Sequence, residues 1–287
     1  MNISIIIPVY KRTEWMERCI ERIQSQKCSE QFEVIIVDDG SPNGRLFETI
    51  TKNVKQQSDR AIHYLKKVHA GPAAARNYGV QFSKGKILCF LDDDSMPEKD
   101  WLEEITRPFY SDSSVGVVSG KTLSLDRSES LSLLLEKAVY PRKSWASCNI
   151  AYSSKVFNAL GGFDEYFTQA SWEDNDLGLR ARWGGYVQRY NEKAIVYHPH
   201  ENTLEEYKRK CLVNGRGAAL FSRKYMFKKP LWAFAAPFLM SRRLSYGVFP
   251  AVWRRRIDSA LYIKFLWSFL SLKGFINEIM RRRHDDN

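Results

Sequence analysis

The sequence predicts an α/β fold around a parallel sheet, and three observations predict it. Three short apolar runs, Ile3–Ile7, Val34–Val37 and Ile87–Leu91, do not alternate with polar residues, which suits strands buried on both faces. Helical patterns lie between the runs, so the order strand, helix, strand, helix, strand implies right-handed βαβ crossovers. Each run ends in polar residues: PVYKR, DDGS and DDDS. Ligands of such sheets bind beyond the carboxyl ends of the strands, and these three ends are expected to share one edge.

The elements follow in order. TEWMERCIERIQSQ sets Trp15, Cys19, Ile20 and Ile23 on one stripe, with Thr13 as the expected N-cap. In GPAAARNYGVQFSKG, Pro72 suits a first helical turn and Gly85 the C-cap. PEKDWLEEITRPFY reads as a further helix, VGVVSG and SCNIAY as short strands, and SSKVFNALGGFDE as a short helix stopped by Gly161 and Gly162. EDNDLGLRARWGG reads as a helix with acids in its first turn, where the dipole favours them. YVQRY and KAIVYHPH read as two more strands, and from Thr203 the pattern turns helical and basic. No GxGxxG follows a strand, which disfavours a dinucleotide-binding Rossmann domain.

Composition sets bounds. A chain of 287 residues with 44% hydrophobic content can bury one large core or two small ones. Residues 1–200 balance 26 Lys and Arg against 26 Asp and Glu, whereas residues 201–287 hold 18 against 7 and so carry the whole +11. Such a segment suits an anionic partner. The five cysteines are scattered with no CxxC, as in reduced cytosolic proteins. No signal peptide is expected from MNISIIIPVYKR. The uncharged stretch Pro230–Ser241 is too short and proline-rich to span a bilayer.

The acids carry the chemistry. Strand period places Asp92 and Asp94 on one side and points Asp93 away, and two carboxylates that close repel each other unless a cation or a proton sits between them. Oxygen ligands suit Mg²⁺ or Mn²⁺. The bland alternative is a solvated acidic turn. In VDDGS a carboxylate could accept from a nucleobase or ribose, or the motif is only turn chemistry. SWEDNDLGLRAR puts three acids beside a Trp, which suits a general base, although helix-start capping is the plainer reading and explains Asp176 better than Asp174. His198 could add an imidazole ligand and lean the site towards Mn²⁺, with His200 as its competitor. Arg76 suits a diphosphate, or is a plain surface arginine.

Together, IIIPVYKR, VIIVDDGS, HAGPAAARNYGV, ILCFLDDDS, SCNIAYSSKVFNALGGFDE and WEDNDLGLRAR resemble, in order and spacing, the inverting family 2 glycosyltransferases over residues 1–200. The resemblance implies a GT-A fold: a Rossmann-like three-layer sandwich around a mostly parallel mixed sheet, here with a basic helical C-terminal extension. It implies that Pro8 and Tyr10 meet the donor nucleotide and that Asp39 contacts the base, usually uracil. Arg76 would lie near the diphosphate, Asp92 on the ribose side, and Asp94 on the metal, with His198 as a second ligand. Asp174 would be the catalytic base, and Trp172 and Glu173 would line the acceptor pocket. Two departures stand out. A Cys precedes the Asn of SCNIA where the family has a small residue, and the QxxRW motif of processive members is replaced by CLVNGRGAALF. The second implies addition of a single sugar.

The expected divisions are 1–100 for the nucleotide-sugar half, 101–203 for the acceptor half and 204–287 for the basic extension. In that extension, WAFAAPFLM, YGVFPAVWRRRI, LYIKFLWSFLSLKGFI and MRRRH mix aromatics with cations. That suits helices on an anionic membrane surface, a lipid-linked or other glycan acceptor, and a cytoplasmic, peripheral location on the cytosolic face. A basic subdomain packed on the core, or an oligomer contact, is the plainer reading. A nucleic-acid partner is not expected, since no binding module for one is recognisable. Two other function classes remain on the sequence: a metal-dependent nucleotidyltransferase or phosphohydrolase, and a non-catalytic nucleotide-sugar binder.

Overall fold

A computed structural model describes residues 2–42, 61–125, 145–201, 203–229 and 259–285. Two compact units emerge. The first comprises Met1–Leu125, Arg142–Thr168 and Asp174–Pro199. The second comprises Asp126–Pro141, Gln169–Glu173 and His200–Asn287.

The first unit is an eight-stranded mixed sheet between helical layers. Its strands are β1 (Ile3–Val9), β2 (Phe32–Asp38), β3 (Ala61–Lys66), β4 (Ile87–Phe90), β5 (Met96–Pro97), β6 (Val115–Ser124), β7 (Ile150–Ser153) and β8 (Val187–His198). Their spatial order is β3-β2-β1-β4-β7-β6-β8-β5. β1 runs parallel to β2 and β4, with Ile6 between Ile35 and Phe90. β7 is antiparallel to both β4 and β6, and β6 is parallel to β8.

Strand period explains the layers. Ile3, Ile5 and Ile7 face one way and join Met16, Cys19, Ile20 and Ile23 of α1 (Thr13–Gln24) with Trp101, Leu102 and Ile105 of α3 (Trp101–Ser111). Ile6, Leu88 and Phe90 face the other way. There they meet Ala73 of α2 (Pro72–Gln81), Phe157 of α4 (Ser154–Ala159), and Leu177 and Ala181 of α5 (Glu173–Trp183). Strands covered on both faces have no polar side, so the runs do not alternate. Each buried Ile contributes roughly 1.5–3 kcal/mol relative to exposure.

Several expectations change. Thr13 lies inside α1, and Arg12 occupies the N-cap without a side-chain cap bond, because a guanidinium has no acceptor to offer a backbone N–H. α2 ends at Gln81, so Gly85 is not its C-cap. Gly85 instead lets the chain pass against β1: its N–H donates to Ser4 Oγ at 2.8 Å, and a Cβ there would overlap the backbone of Ile3 and Ser4. Gly85→Ala should cost about 2–3 kcal/mol, as overpacking against backbone that cannot give way does. Urea unfolding measures it. YVQRY and KAIVYHPH form one strand, β8, whose pairing with β6 shifts register between Gly120 and Lys121. β3 was not anticipated.

The second unit includes α6 (Leu204–Tyr225) and α7 (Ser259–Asp285). A capping box starts α6: Thr203 Oγ1 accepts from the Glu206 N–H, and Glu206 accepts from the Thr203 N–H, both at 3.2 Å. Gly215 permits close crossing of the two helices, since a Cβ there would overlap the Ser271 carbonyl. No described helix is long and apolar enough to cross a membrane. The stretches WAFAAPFLM and YGVFPAVWRRRI lie outside the described residues.

Candidate active site

The parallel register of β2, β1 and β4 brings their carboxyl ends to one edge, as the sequence predicts. Pro8 is half-buried and lies opposite Val37. Tyr10 follows β1 and stacks on His69, with ring centroids 4.2 Å apart and planes 15° from parallel. That is an aromatic platform at the edge. Beside it, Asp39 is fully engaged. Its Oδ1 accepts from the Ala70 N–H at 3.0 Å and pairs with Lys67 Nζ at 2.9 Å. Its Oδ2 accepts from the Gly71 N–H at 2.8 Å and lies 2.7 Å from His69 Nδ1. Asp39 therefore fixes the 67–71 segment.

Asp92, Asp93 and Asp94 do not continue the strand. β4 stops at Phe90, and the chain turns as the Ser95 N–H donates to the Asp92 carbonyl at 3.0 Å and the Asp92 N–H to Ser95 Oγ at 3.2 Å. Strand alternation therefore does not govern the three acids. Asp93, expected to point away, is buried with Asp94, and Arg12 joins the two: its Nη2 is 2.9 Å from Asp93 Oδ1 and its Nη1 donates to Asp94 Oδ2. Asp92 Oδ1 pairs with Arg76 Nη2 at 2.7 Å. Arg76 is 2% exposed, so the plain surface reading of this arginine does not hold. Its guanidinium also lies over the Phe163 ring at 5.4 Å. His198 Nε2 lies 3.0 Å from Asp94 Oδ1 and 3.6 Å from Asp92 Oδ2.

The electrostatics sort the acids. Burial raises every carboxyl here, but for Asp92 the charges of Arg76 and His198 outweigh it and hold the group below the carboxylate range. Asp94 is lowered too, against burial, by His198 and Arg12. Asp93 goes the other way: burial, with its two acidic neighbours, pushes it up to about 8 against the opposing Arg12. His198 rises well above its ordinary value because Asp94 and Asp92 favour its cation more strongly than burial opposes it. Asp174, in the first turn of α5, is raised. Burial is the main cause and the Asp92 charge adds to it, while the Asn175 N–H and Arg76 oppose. The Asn175 N–H donates to its Oδ1 at 2.7 Å and the Asn175 side chain at 2.9 Å.

A divalent cation fits these residues. Asp92, Cys148 and His198 each offer a ligand atom, and the three atoms lie within 4.8 Å of one another. Asp93 Oδ2 is buried with no hydrogen-bond partner among the described residues. Sequence reasoning missed Arg12, Lys67, His69 and the place of Cys148 beside Asp92 and His198. Arg12 sits at a polar strand end, and that was the available signal.

In the second unit, Trp172 adopts φ +72°, a strained backbone for a non-glycine residue. Its Nε1–H donates to Asn214 Oδ1 at 3.1 Å and its ring packs on Phe221 at 5.1 Å. Glu173 is 2% exposed.

The profile of Glycosyl transferase family 2 matches residues 4–157. The pre-mycofactocin glycosyltransferase of Mycobacterium tuberculosis is 30% identical over 286 residues, covering 91% of this chain and 58% of that protein. Glycosyltransferase AglE of Haloferax volcanii is 28% identical over 211 residues, covering 69% of this chain and 66% of that protein. The chain thus spans less than two thirds of these relatives. Among solved structures, the mannosyltransferase PcManGT from Pyrobaculum calidifontis, in complex with GDP-Man and Mn²⁺, superposes with a TM-score of 0.68 at 16% identity. It covers 97% of this chain and 87% of that one, and carries the GT-A fold assignment. S. aureus TarS 1-349 in complex with UDP gives 0.55 at 15% identity, over 99% of this chain and 92% of that one.

Proposed function

Because the chain belongs to glycosyl transferase family 2, we propose that it moves a single sugar from a nucleoside diphosphate donor, a UDP-sugar first, to an acceptor hydroxyl with inversion. One observation carries this reading: the raised carboxyl of Asp174 lies within electrostatic reach of Arg76 and Asp92. That proximity supports one site for a base and a diphosphate-binding cluster. The acceptor oxygen attacks the anomeric carbon as the bond to the diphosphate breaks, and Asp174 takes the hydroxyl proton. The diphosphate leaves with the bonding electrons, and Arg76 offsets its charge. A Mn²⁺ or Mg²⁺ ion held by Asp94 and His198, with Asp92 beside them, neutralises the diphosphate when bound. Pro8 and Tyr10 receive the nucleoside, with the Tyr10–His69 stack as its platform, and Asp39 positions that platform by holding the 67–71 segment. Trp172 and Glu173 line the acceptor side. The GDP-Man, Mn²⁺ and UDP of the solved relatives support the donor class.

The acceptor is a lipid-linked or surface glycan, and the 204–287 division meets an anionic membrane from the cytosolic face. On α7, Phe269, Ile276 and Met280 are exposed beside Lys273 and Arg281, an apolar stripe with cations that suits an interface. Failure to sediment with anionic liposomes would remove the membrane from this reading.

Incubation with UDP- and GDP-sugars, Mn²⁺ and polyprenyl-phosphate glycans tests the activity. Release of nucleoside diphosphate together with a new glycoside is expected. Release of nucleotide without a glycoside would make the chain a hydrolase, and no turnover with any pair would make it a binder. Asp93→Asn should keep most activity, because a raised Asp93 resembles the neutral amide already. Asp94→Asn should lose at least about tenfold, through a weakened metal site. Equal losses in steady-state rate would refute this ranking.

A further inference from the structure

We propose that Cys148 is a thiolate ligand of the metal at this edge, so that the site selects Co²⁺ and Zn²⁺ over Mg²⁺ through sulfur. The inference rests on the metal-assisted reading above. Its ground is geometric. Cys148 Sγ, His198 Nε2 or Nδ1 and an Asp92 oxygen lie within 4.8 Å of one another. Ligands on one tetrahedral ion, with metal–sulfur near 2.3 Å and metal–nitrogen near 2.0–2.1 Å, stand about 3.6 Å apart, so a small closure completes the set.

Topology puts the sulfur there. β7 is antiparallel to β4 and β6, so its beginning lies at the same edge as the ends of β4 and β8. The next residue locks it. Asn149 Oδ1 accepts from the Trp101 Nε1–H at 2.9 Å, and its Nδ2 donates to the Lys121 and Ala194 carbonyls at 3.1 and 3.0 Å. Its own carbonyl accepts from the Gly120 N–H at 3.0 Å. The thiol is therefore held in place, 8% exposed and 3.9 Å from Thr122 Oγ1. Mg²⁺ favours oxygen and keeps its waters, whereas thiolate and imidazole suit later transition ions. Binding releases two protons to solvent, the S–H proton of Cys148 and the one that Asp94 and Asp92 hold on the His198 imidazolium, and no electron changes hands.

Co²⁺ is the probe, with the full chain. The Co²⁺-loaded wild type should show a near-ultraviolet thiolate-to-cobalt charge-transfer band. Cys148→Ser should lose the band and weaken Co²⁺ binding about tenfold or more, with Mg²⁺ affinity unchanged. Cys28→Ser, the control for the half-buried thiol, should keep both. Bound Co²⁺ with no such band, or a band that survives in Cys148→Ser, overturns the inference and leaves the metal reading standing. No Co²⁺ bound in equilibrium dialysis overturns both. Should Cys148→Ser fail to fold, peptide-resolved alkylation of wild-type Cys148 decides: slowing by Zn²⁺ and not Mg²⁺ supports the ligand, and equal labelling rates refute it.

Discussion

Asp174→Asn should lower kcat about 10²–10⁴-fold, the range for removing a positioned general base, while donor binding stays near wild type. The amide keeps the shape and the contact with the Asn175 N–H but cannot take a proton. Donor affinity resides in other residues, so isothermal titration with a UDP-sugar should separate the two effects. The pH profile gives a second check. Asp174 is raised above the ordinary 3.8, first by burial and then by the charge of Asp92. Its active form is the ionised one, present above the folded pKa and lost as pH falls through it. The acid limb of kcat/KM should therefore lie above 3.8. A limb at or below that value would assign the base elsewhere.

Arg76→Leu should destabilise the fold by about 2–3 kcal/mol at neutral pH. Breaking a buried pair strands its partner at about 3–5 kcal/mol, and the Asp92 side chain keeps 25% exposure, which reduces the figure. The sign follows from Asp92, whose folded pKa is depressed from 3.8. Its contribution is present above the unfolded value and is lost as pH falls towards the folded one. The gap between variant and wild type should thus be full at pH 7 and narrow below about pH 4. Thermal midpoints across that range measure it. A gap independent of pH would mean that the variant fails through packing on Phe163.

The sheet edge was legible because β1, β2 and β4 bury both faces and leave uninterrupted apolar runs. β3 was not, since Ala61–Lys66 is an edge strand with a single buried residue, Ile62, and so leaves neither an apolar run nor an alternating pattern. The acids were found by composition, but their facing was not, because Ser95 turns the chain where strand period was assumed to continue. Arg12 looked like an ordinary cation in PVYKR. Only tertiary structure brings it to Asp93 and Asp94, which lie more than eighty residues further on.

The strand order also sets when the site can exist. Asp92 and His198 meet only because β8 pairs with β5 and β6, and β8 is the last strand of the sheet to be made. A nascent chain that has produced β4 already carries three adjacent carboxylates, with Arg12 and Arg76 as their early counter-charges and no imidazole to join them. Closing a loop of that length is slow relative to local helix formation. The half of the sheet around β1 can therefore consolidate first, and capacity to hold an ion should appear late in refolding, in step with the arrival of the C-terminal strand.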